Sequence, residues 1–85
     1  MKSSERWIQV DGKSCRLTRT EWDLYQWLQN HAGKVVSRDS LLRNVWGFAE
    51  MADTRSVDMC VRRLRAKIGD TAIRTVYGEG YLMVA

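Results

Sequence analysis

The sequence predicts an α+β domain with a short antiparallel β-hairpin, three helices and a second β-hairpin, in that order. Three features support this: an Asp-Gly turn between two β-prone runs, three successive amphipathic segments with helix-start signals, and a Gly-Glu-Gly tip between two further β-prone runs. The 85 residues, 45% of them apolar, suffice for one hydrophobic core but not for two. We expect a single domain over residues 1–85, with a hairpin (1–17), a three-helix core (18–69) and a C-terminal hairpin (72–85).

The two hairpins follow from turn chemistry. Asp11-Gly12 is a strong signal for a two-residue turn, and Gly78-Glu79-Gly80 has the composition of a hairpin tip. The predicted strands are Trp7 to Val10 and Ser14 to Leu17 in the first hairpin, and Ile73 to Tyr77 and Tyr81 to Val84 in the second.

The first two helices follow from capping residues. Thr18 and Glu21 fit a capping box, and Gly33 offers a left-handed stop, so helix one should end near residue 32. Ser37 is a plausible N-cap for helix two, which should end at Gly47. The apolar faces are predicted to be Trp22, Leu24, Tyr25 and Leu28 in helix one, and Leu41, Leu42, Val45 and Trp46 in helix two. Residues 34–36 are expected to be an extended link.

The third helix, predicted over 54–68 with Asp53 or Thr54 as its cap, has one apolar side and one basic side. Residues 54–67 contain five basic residues and one acid, a local charge of +4, whereas the rest of the chain balances at nine basic and nine acidic residues. The apolar side is Val57, Val61, Leu64 and Ile68. The opposite side is Arg55, Ser56, Met59, Arg62, Arg63 and Ala66. A basic stripe confined to one helix is typical of a phosphate-binding surface.

This order of elements predicts a winged helix-turn-helix. In that arrangement helix two supports helix three, helix three enters the major groove, and the C-terminal hairpin lies as a wing, residues 73–84, along the adjacent backbone. An interaction-only winged helix is the alternative, because the fold can lose DNA binding. The unpaired arginines of helix three argue against it, since the centre of a protein interface is depleted of charge.

Composition excludes other classes of function. Cys15, Cys60 and His31 lack the spacing of a metal site, and no nucleophile-base pair or phosphate loop can be assembled, so neither a cofactor nor catalysis is expected. Cys60 flanks the contact side. A small thiol that packs inside the helix bundle is preferred over a redox sensor. No signal peptide or membrane span is predicted, which favours a cytoplasmic protein.

Four segments carry a family resemblance: LTRTEWDLYQWL, GKVVSRDSLLRNVWG, DTRSVDMCVRRLRAKIG and IRTVYGEGY. Over about Val10 to Tyr81 the chain resembles the effector domain of OmpR/PhoB-type response regulators of two-component systems. The VWG motif, the R-S/T-V-D helix start, the RRLR-K run and the G-x-G-Y wing are jointly specific. The resemblance implies a transcription factor that binds double-stranded DNA, as a head-to-tail dimer on direct repeats.

The resemblance also implies residue roles. Base contacts correspond to Arg55, Ser56, Met59 and Arg63, with Arg63 the leading reader of guanine. Phosphate contacts correspond to Arg38, Trp46, Arg62, Arg65, Lys67, Thr75, Tyr77 and Tyr81. Two alternatives stay open: an ion pair between Arg65 and an acid such as Asp58, and a core role for Trp46. Trp22 and Trp27 are assigned to packing.

The chain departs from the family pattern at the wing and at the start. Tyr77 replaces an arginine that often enters the minor groove, and Glu79 would repel phosphate, so a weakly anchored wing is expected. Only about two strands fit before Thr18, where the family has a four-stranded sheet. A cut domain and a naturally compact variant would both explain this. The loop with Phe48, Glu50 and Met51 corresponds to a contact site for RNA polymerase, and a plain connector is the alternative.

Overall fold

The computed structural model describes residues 6–10, 12–47 and 53–84, so the candidate polymerase residues Phe48, Glu50 and Met51 lie outside the described residues. The described residues form five strands and three helices, and all of these except the short strand β3 follow the predicted order. They are β1 (Trp7–Val10), β2 (Lys13–Arg16), α1 (Arg19–Asn30), β3 (Val35–Val36), α2 (Arg38–Leu41), α3 (Thr54–Ile68), β4 (Ile73–Val76) and β5 (Gly80–Met83). A π-helical segment, Leu42–Trp46, continues α2 directly. The predicted second helix is therefore present, but its second half is wound more loosely than an α-helix.

The N-terminal hairpin has the predicted two-residue connection. Val10 faces Lys13 and Trp7 faces Arg16 in an antiparallel register. Gly12 has a φ of 81°, which an Asp-Gly turn needs at its second position. Leu17 falls just beyond β2, where its amide donates to the Arg6 carbonyl at 2.9 Å and its side chain enters the core.

The capping chemistry predicted for the helices is present. Thr18 and Glu21 form a capping box at α1, and the Ser37 hydroxyl accepts from the Ser40 amide at α2. Asp53 caps α3, accepting from the amides of Arg55 and Ser56. These bonds satisfy amides that the first turn of a helix leaves without partners.

The wing belongs to a larger sheet than the sequence indicates. β3, expected to be only an extended link, pairs with β5, so the strand order is β3-β5-β4. Gly80 makes this pairing close: its φ is 150°, and a Cβ placed there would overlap the Val36 carbonyl oxygen. The wing is therefore tied to the chain that enters α2.

The core lies between α1, α3 and this sheet. Its fully buried side chains are Leu17, Leu24, Leu28, Leu41, Val57, Val61, Leu64 and Ile73. Trp22 and Trp27 are partly buried against this cluster, as predicted. Among the described residues, no helix is long and apolar enough to cross a membrane.

Candidate nucleic-acid interface

The outer side of α3 is a polar and basic surface, which we call the contact face: Arg55, Ser56, Met59, Arg62 and Arg63. All except Ser56 are exposed, and Ser56 is half-buried. The opposite side of the helix is sealed in the core, where Val57, Val61 and Leu64 are inaccessible to solvent. The partition of this helix into a core side and an exposed arginine side is therefore as the sequence predicts.

Ser56 has a second task beside its place on the contact face. Its hydroxyl accepts from the Asp53 amide at 3.3 Å, while its own amide donates to the Asp53 carboxylate at 3.2 Å. This reciprocal pair orients the first turn of α3. The hydroxyl proton is free to donate outward, because accepting one hydrogen bond leaves the O–H group available.

A groove of about 480 Å³ runs along one border of the contact face. Ser56, Met59 and Arg63 form its α3 wall, and Trp46 and Thr18 lie across from them. Trp46 is half-buried and packs against the core. It thus combines the packing role kept open by the sequence with a position beside the contact face.

Arg38 lies at the start of α2 and reaches α3. Its Nη1 donates to the Asp58 carboxylate at 3.2 Å, and nearly half of its side chain is exposed. Arg38 also lines a small cavity with Thr54 and the wing-tip residues Gly78 and Glu79. The guanidinium is therefore held at a place where helix two, helix three and the wing meet.

Tyr81, predicted to contact phosphate, is bonded within the domain. Its hydroxyl donates to the other oxygen of the Asp58 carboxylate at 2.6 Å, and only 7% of the residue is exposed. Burial and the hydrogen bond to this carboxylate raise the pKa of Tyr81 to about 12. The hydroxyl thus bonds to an acid that Arg38 shares, and the phosphate contact of Tyr81 stays a prediction.

Arg65 is also engaged within the molecule. Its Nε and Nη2 donate to the Ile73 carbonyl at 3.0 and 2.8 Å, and Nη2 donates to the Thr75 hydroxyl at 2.8 Å. The guanidinium carbon lies 5.7 Å from the centre of the Tyr81 ring. Arg65 therefore joins α3 to the wing, and among the described residues it forms no ion pair with Asp58 or another acid; its phosphate contact stays a prediction. Thr75, predicted to contact phosphate, serves as one of its acceptors.

Lys67 forms a partly buried ion pair. Its Nζ lies 2.6 Å from the Glu21 carboxylate and donates to the Arg16 carbonyl at 3.2 Å. Burial alone would raise the pKa of Glu21, but the bonds from Lys67 and Thr18 outweigh it, and the net pKa is lowered. The ammonium group neutralises an acid that is only 3% exposed, and the phosphate contact of Lys67 stays a prediction.

The wing tip leaves Tyr77 outside the sheet. It is 90% exposed, and the neighbouring Glu79 is exposed as well. Tyr77 is thus accessible for the predicted contact, and the acid is close enough along the chain to oppose phosphate.

The two cysteines are free, and Cys60 is buried. Burial and the negative charge of Glu21 raise the pKa of the Cys60 thiol to about 11. This supports the packing role over the redox-sensing alternative, since the thiolate is the reactive form. In the part of the chain that the structure describes, no group of His, Cys, Asp or Glu side chains is arranged to hold a metal ion.

Asp58 is the residue of the site that the sequence analysis did not identify as functional. It is the only acid within α3, and its two carboxylate oxygens join Arg38 of α2 to Tyr81 of β5. A lone acid beside an apolar stripe in a basic helix is the signal that could have indicated a structural hub.

Comparison with known proteins agrees with this architecture. The transcriptional regulatory protein VxrB of Vibrio cholerae is 44% identical over 80 residues, which cover 94% of this chain and 33% of that protein. The chain thus spans about a third of the length of this curated relative. Two solved structures are also similar, and they are the DNA-binding domain of CssR from Bacillus subtilis and the DNA-binding domain of RstA from Klebsiella pneumoniae in complex with the RstA box.

The two structural matches extend over most of each chain. CssR is 37% identical with a TM-score of 0.82, covering 92% of this chain and 90% of that one. RstA is 36% identical with a TM-score of 0.79, covering 92% and 82%. Residues 12–83 match the family described as "Transcriptional regulatory protein, C terminal". The chain belongs to this OmpR/PhoB-type family of C-terminal domains of transcriptional regulatory proteins.

Proposed function

We propose that this domain binds double-stranded DNA in a sequence-dependent manner as part of a transcriptional regulator. The observation that carries the proposal is the contact face of α3: its arginines are exposed while the opposite side of the helix is sealed in the core. The major groove, about 12 Å wide, accepts one α-helix. The family membership and the complex of the RstA domain with its DNA box support the same function.

Within this function, base edges are read by Arg55, Ser56, Met59 and Arg63. Arg63 makes the principal contact, a bidentate pair with guanine O6 and N7. Phosphates are bound by Arg62, by Arg38 at the start of α2, by Trp46 beside the groove and by Tyr77 at the wing tip. Four further residues, predicted from the resemblance to contact phosphate, also hold the wing and α1 in place relative to α3: Arg65, Lys67, Thr75 and Tyr81.

Further properties rest on the family likeness. We infer that the whole protein is cytoplasmic, acts without catalysis or a cofactor, and binds direct repeats as a head-to-tail dimer. The connection between α2 and α3, with Phe48, Glu50 and Met51, is the proposed site for RNA polymerase. Activator-defective substitutions in this loop that leave DNA binding intact would support that assignment.

The decisive experiment is selection of bound sites from a random duplex pool, with the Arg63→Ala variant alongside. We expect one base position to lose its preference in the variant, equivalent to about 1–3 kcal/mol of discrimination. An equal loss of affinity on all sequences would reduce Arg63 to a phosphate contact. Absence of binding to any duplex would favour the alternative, a protein-interaction module.

Salt dependence distinguishes the same two functions at lower cost. With three or four phosphates neutralised, log K should fall against log salt with a slope of roughly −3 to −4. A protein-interaction module that has lost DNA binding has no such slope, because no counterions are released.

A further inference from the structure

A second cluster of cations lies away from the contact face, where the N-terminal hairpin meets the start of α1 and the end of α3. Arg6, Arg16, Arg19 and Lys67 line a cavity of about 420 Å³ there, together with Leu17 and Thr18. We call it the basic cavity. None of its arginines takes part in the contact face described above, and four cations around one concave surface create a strongly positive local potential.

The walls of the basic cavity are fixed by hydrogen bonds. The Leu17 amide donates to the Arg6 carbonyl at 2.9 Å, which holds Arg6 beside the start of α1. Lys67 donates to the Arg16 carbonyl at 3.2 Å and pairs with Glu21, which fixes β2 against both helices. The cavity is therefore preformed, and a ligand would bind without reorganising the backbone.

The charges of the basic cavity are only partly compensated. Glu21 neutralises Lys67, and Arg19, whose side chain is 83% exposed, lies 3.9 Å from Asp23. Arg6 Nε is buried and, among the described residues, has no hydrogen-bond partner. A charged donor without an acceptor is destabilising, so a negative charge near the Arg6 guanidinium would be favourable. The amino end of α1, which carries the positive end of the helix dipole, lies at the same place.

The position of the basic cavity indicates which anion it takes. Thr18 lines this cavity and also lines the groove beside Met59 and Arg63 of the contact face. The basic cavity therefore adjoins the groove beside the contact face. A duplex seated on the contact face presents a regular row of phosphates to such a surface, because each strand carries one charge about every 3.4 Å.

We propose that the basic cavity binds a backbone phosphate of the DNA next to the segment read by α3, with Arg6, Arg16 and Arg19 as its donors. The inference rests on the proposed function and extends it. This contact positions the domain on the duplex and carries no sequence information of its own. It also gives the N-terminal hairpin a role in binding, which compensates for a wing that carries an acid at its tip.

The test compares the full chain with the double variant Arg16→Gln/Arg19→Gln. Both arginines are exposed, so their replacement should leave the fold intact, which a thermal melt would verify. The matched control is Lys13→Gln/Arg43→Gln, which removes the same charge from two exposed residues that do not line the cavity. Affinity is measured over a range of salt, on the selected site and on an unrelated duplex, and ethylation of single phosphates locates the contact.

We expect the double variant to lose about 0.9 from the salt slope, which corresponds to roughly eightfold weaker binding for each tenfold dilution of salt below 1 M. The loss should be equal on both duplexes. Ethylation of one particular phosphate should weaken DNA binding by the unmodified chain but should not change binding by the double variant. The inference is overturned if the double variant behaves like the control while the unmodified chain binds normally. If the unmodified chain binds no duplex, the proposed function fails as well.

A free oxyanion is distinguished by a separate measurement. Sodium phosphate, added at constant ionic strength, is tested for an increase in the melting temperature of the unmodified chain and of the double variant. Stabilisation of the unmodified chain alone, with equal salt slopes on DNA, would mean that the cavity binds a free anion and would refute the assignment to the DNA backbone.

Discussion

Two sides of α3 carry similar cations with different roles. Arg55, Arg62 and Arg63 are exposed, whereas Arg65 bonds to the wing and Lys67 to Glu21. The difference follows from helical geometry, since each step of about 100° moves a side chain towards or away from the core. A count of charges along a helix therefore overestimates its exposed, unpaired cations, and the angular position of each charge decides whether it also bonds within the domain.

Among the variants considered, loss of the Lys67 charge should have the largest effect on stability. Lys67→Met should destabilise the domain by about 2–3 kcal/mol, because Glu21 would remain buried without its partner. Chemical denaturation near neutral pH measures the effect. Arg62→Met is the matched control: it should change stability by less than about 0.5 kcal/mol and should weaken DNA binding instead. Equal losses of stability in the two variants would show that the division of α3 is wrong.

The ion pair between Lys67 and Glu21 also makes the stability of the domain depend on pH. The pKa of Glu21 is lowered in the folded protein from its ordinary value of 4.5, so its contribution is present above that value and is lost as the pH falls through the folded pKa. In Lys67→Met the effect of burial on the pKa of Glu21 is no longer offset by the lysine. The free energy of unfolding of the variant should therefore lose this part of its dependence on pH. Denaturation curves collected between neutral and acidic pH measure this dependence. A variant with the same pH profile as the unmodified chain would contradict the assignment.

Arg65 should show a smaller effect of the same kind. Arg65→Met removes donors from the Ile73 carbonyl and the Thr75 hydroxyl, and we expect a loss of about 1.5–2 kcal/mol in unfolding free energy. The wing should also become more mobile relative to α3, which hydrogen exchange at β4 and β5 would detect. Protection of these strands equal to that in the unmodified chain would speak against the contact.

Tyr81 and Tyr77 extend the comparison to the wing. Tyr81→Phe should cost about 1 kcal/mol, because it removes the bond to Asp58, whereas Tyr77→Phe should leave stability unchanged. The raised pKa of Tyr81 means that its contribution is full below about pH 10 and is lost as the pH rises towards 12. Alkaline denaturation should therefore differ between the unmodified chain and Tyr81→Phe, and a shared alkaline profile would refute the inward bond.

The sequence predicts the local features of this domain better than its long-range contacts. The capping box of Thr18 and Glu21, the Asp-Gly hairpin and the two sides of α3 follow from short-range chemistry, and all are present. The pairing of β3 with β5 was missed because two residues are too few for a periodic signal. The internal partners of Arg65, Lys67 and Tyr81 lie 8 to 51 residues away along the chain, and only the folded arrangement brings them together.

The wing tip provides the smallest and most specific prediction. Tyr77 is highly exposed but uncharged, and Glu79 lies two residues away, so the wing should contribute little to affinity at present. Tyr77→Arg supplies a cation at the same exposed position and should tighten DNA binding several-fold, with a salt slope steeper by about 0.9. Titration of a labelled duplex at two or more salt concentrations measures both quantities.

Arg74→Gln, on the adjacent strand β4, is a useful comparison, because the exposed cation of Arg74 tests whether DNA reaches β4 at all. If Tyr77→Arg leaves affinity unchanged while Arg74→Gln weakens it, the DNA backbone passes along β4 and not along the wing tip. If neither substitution has an effect, the wing does not approach the duplex, and affinity comes from the helices alone.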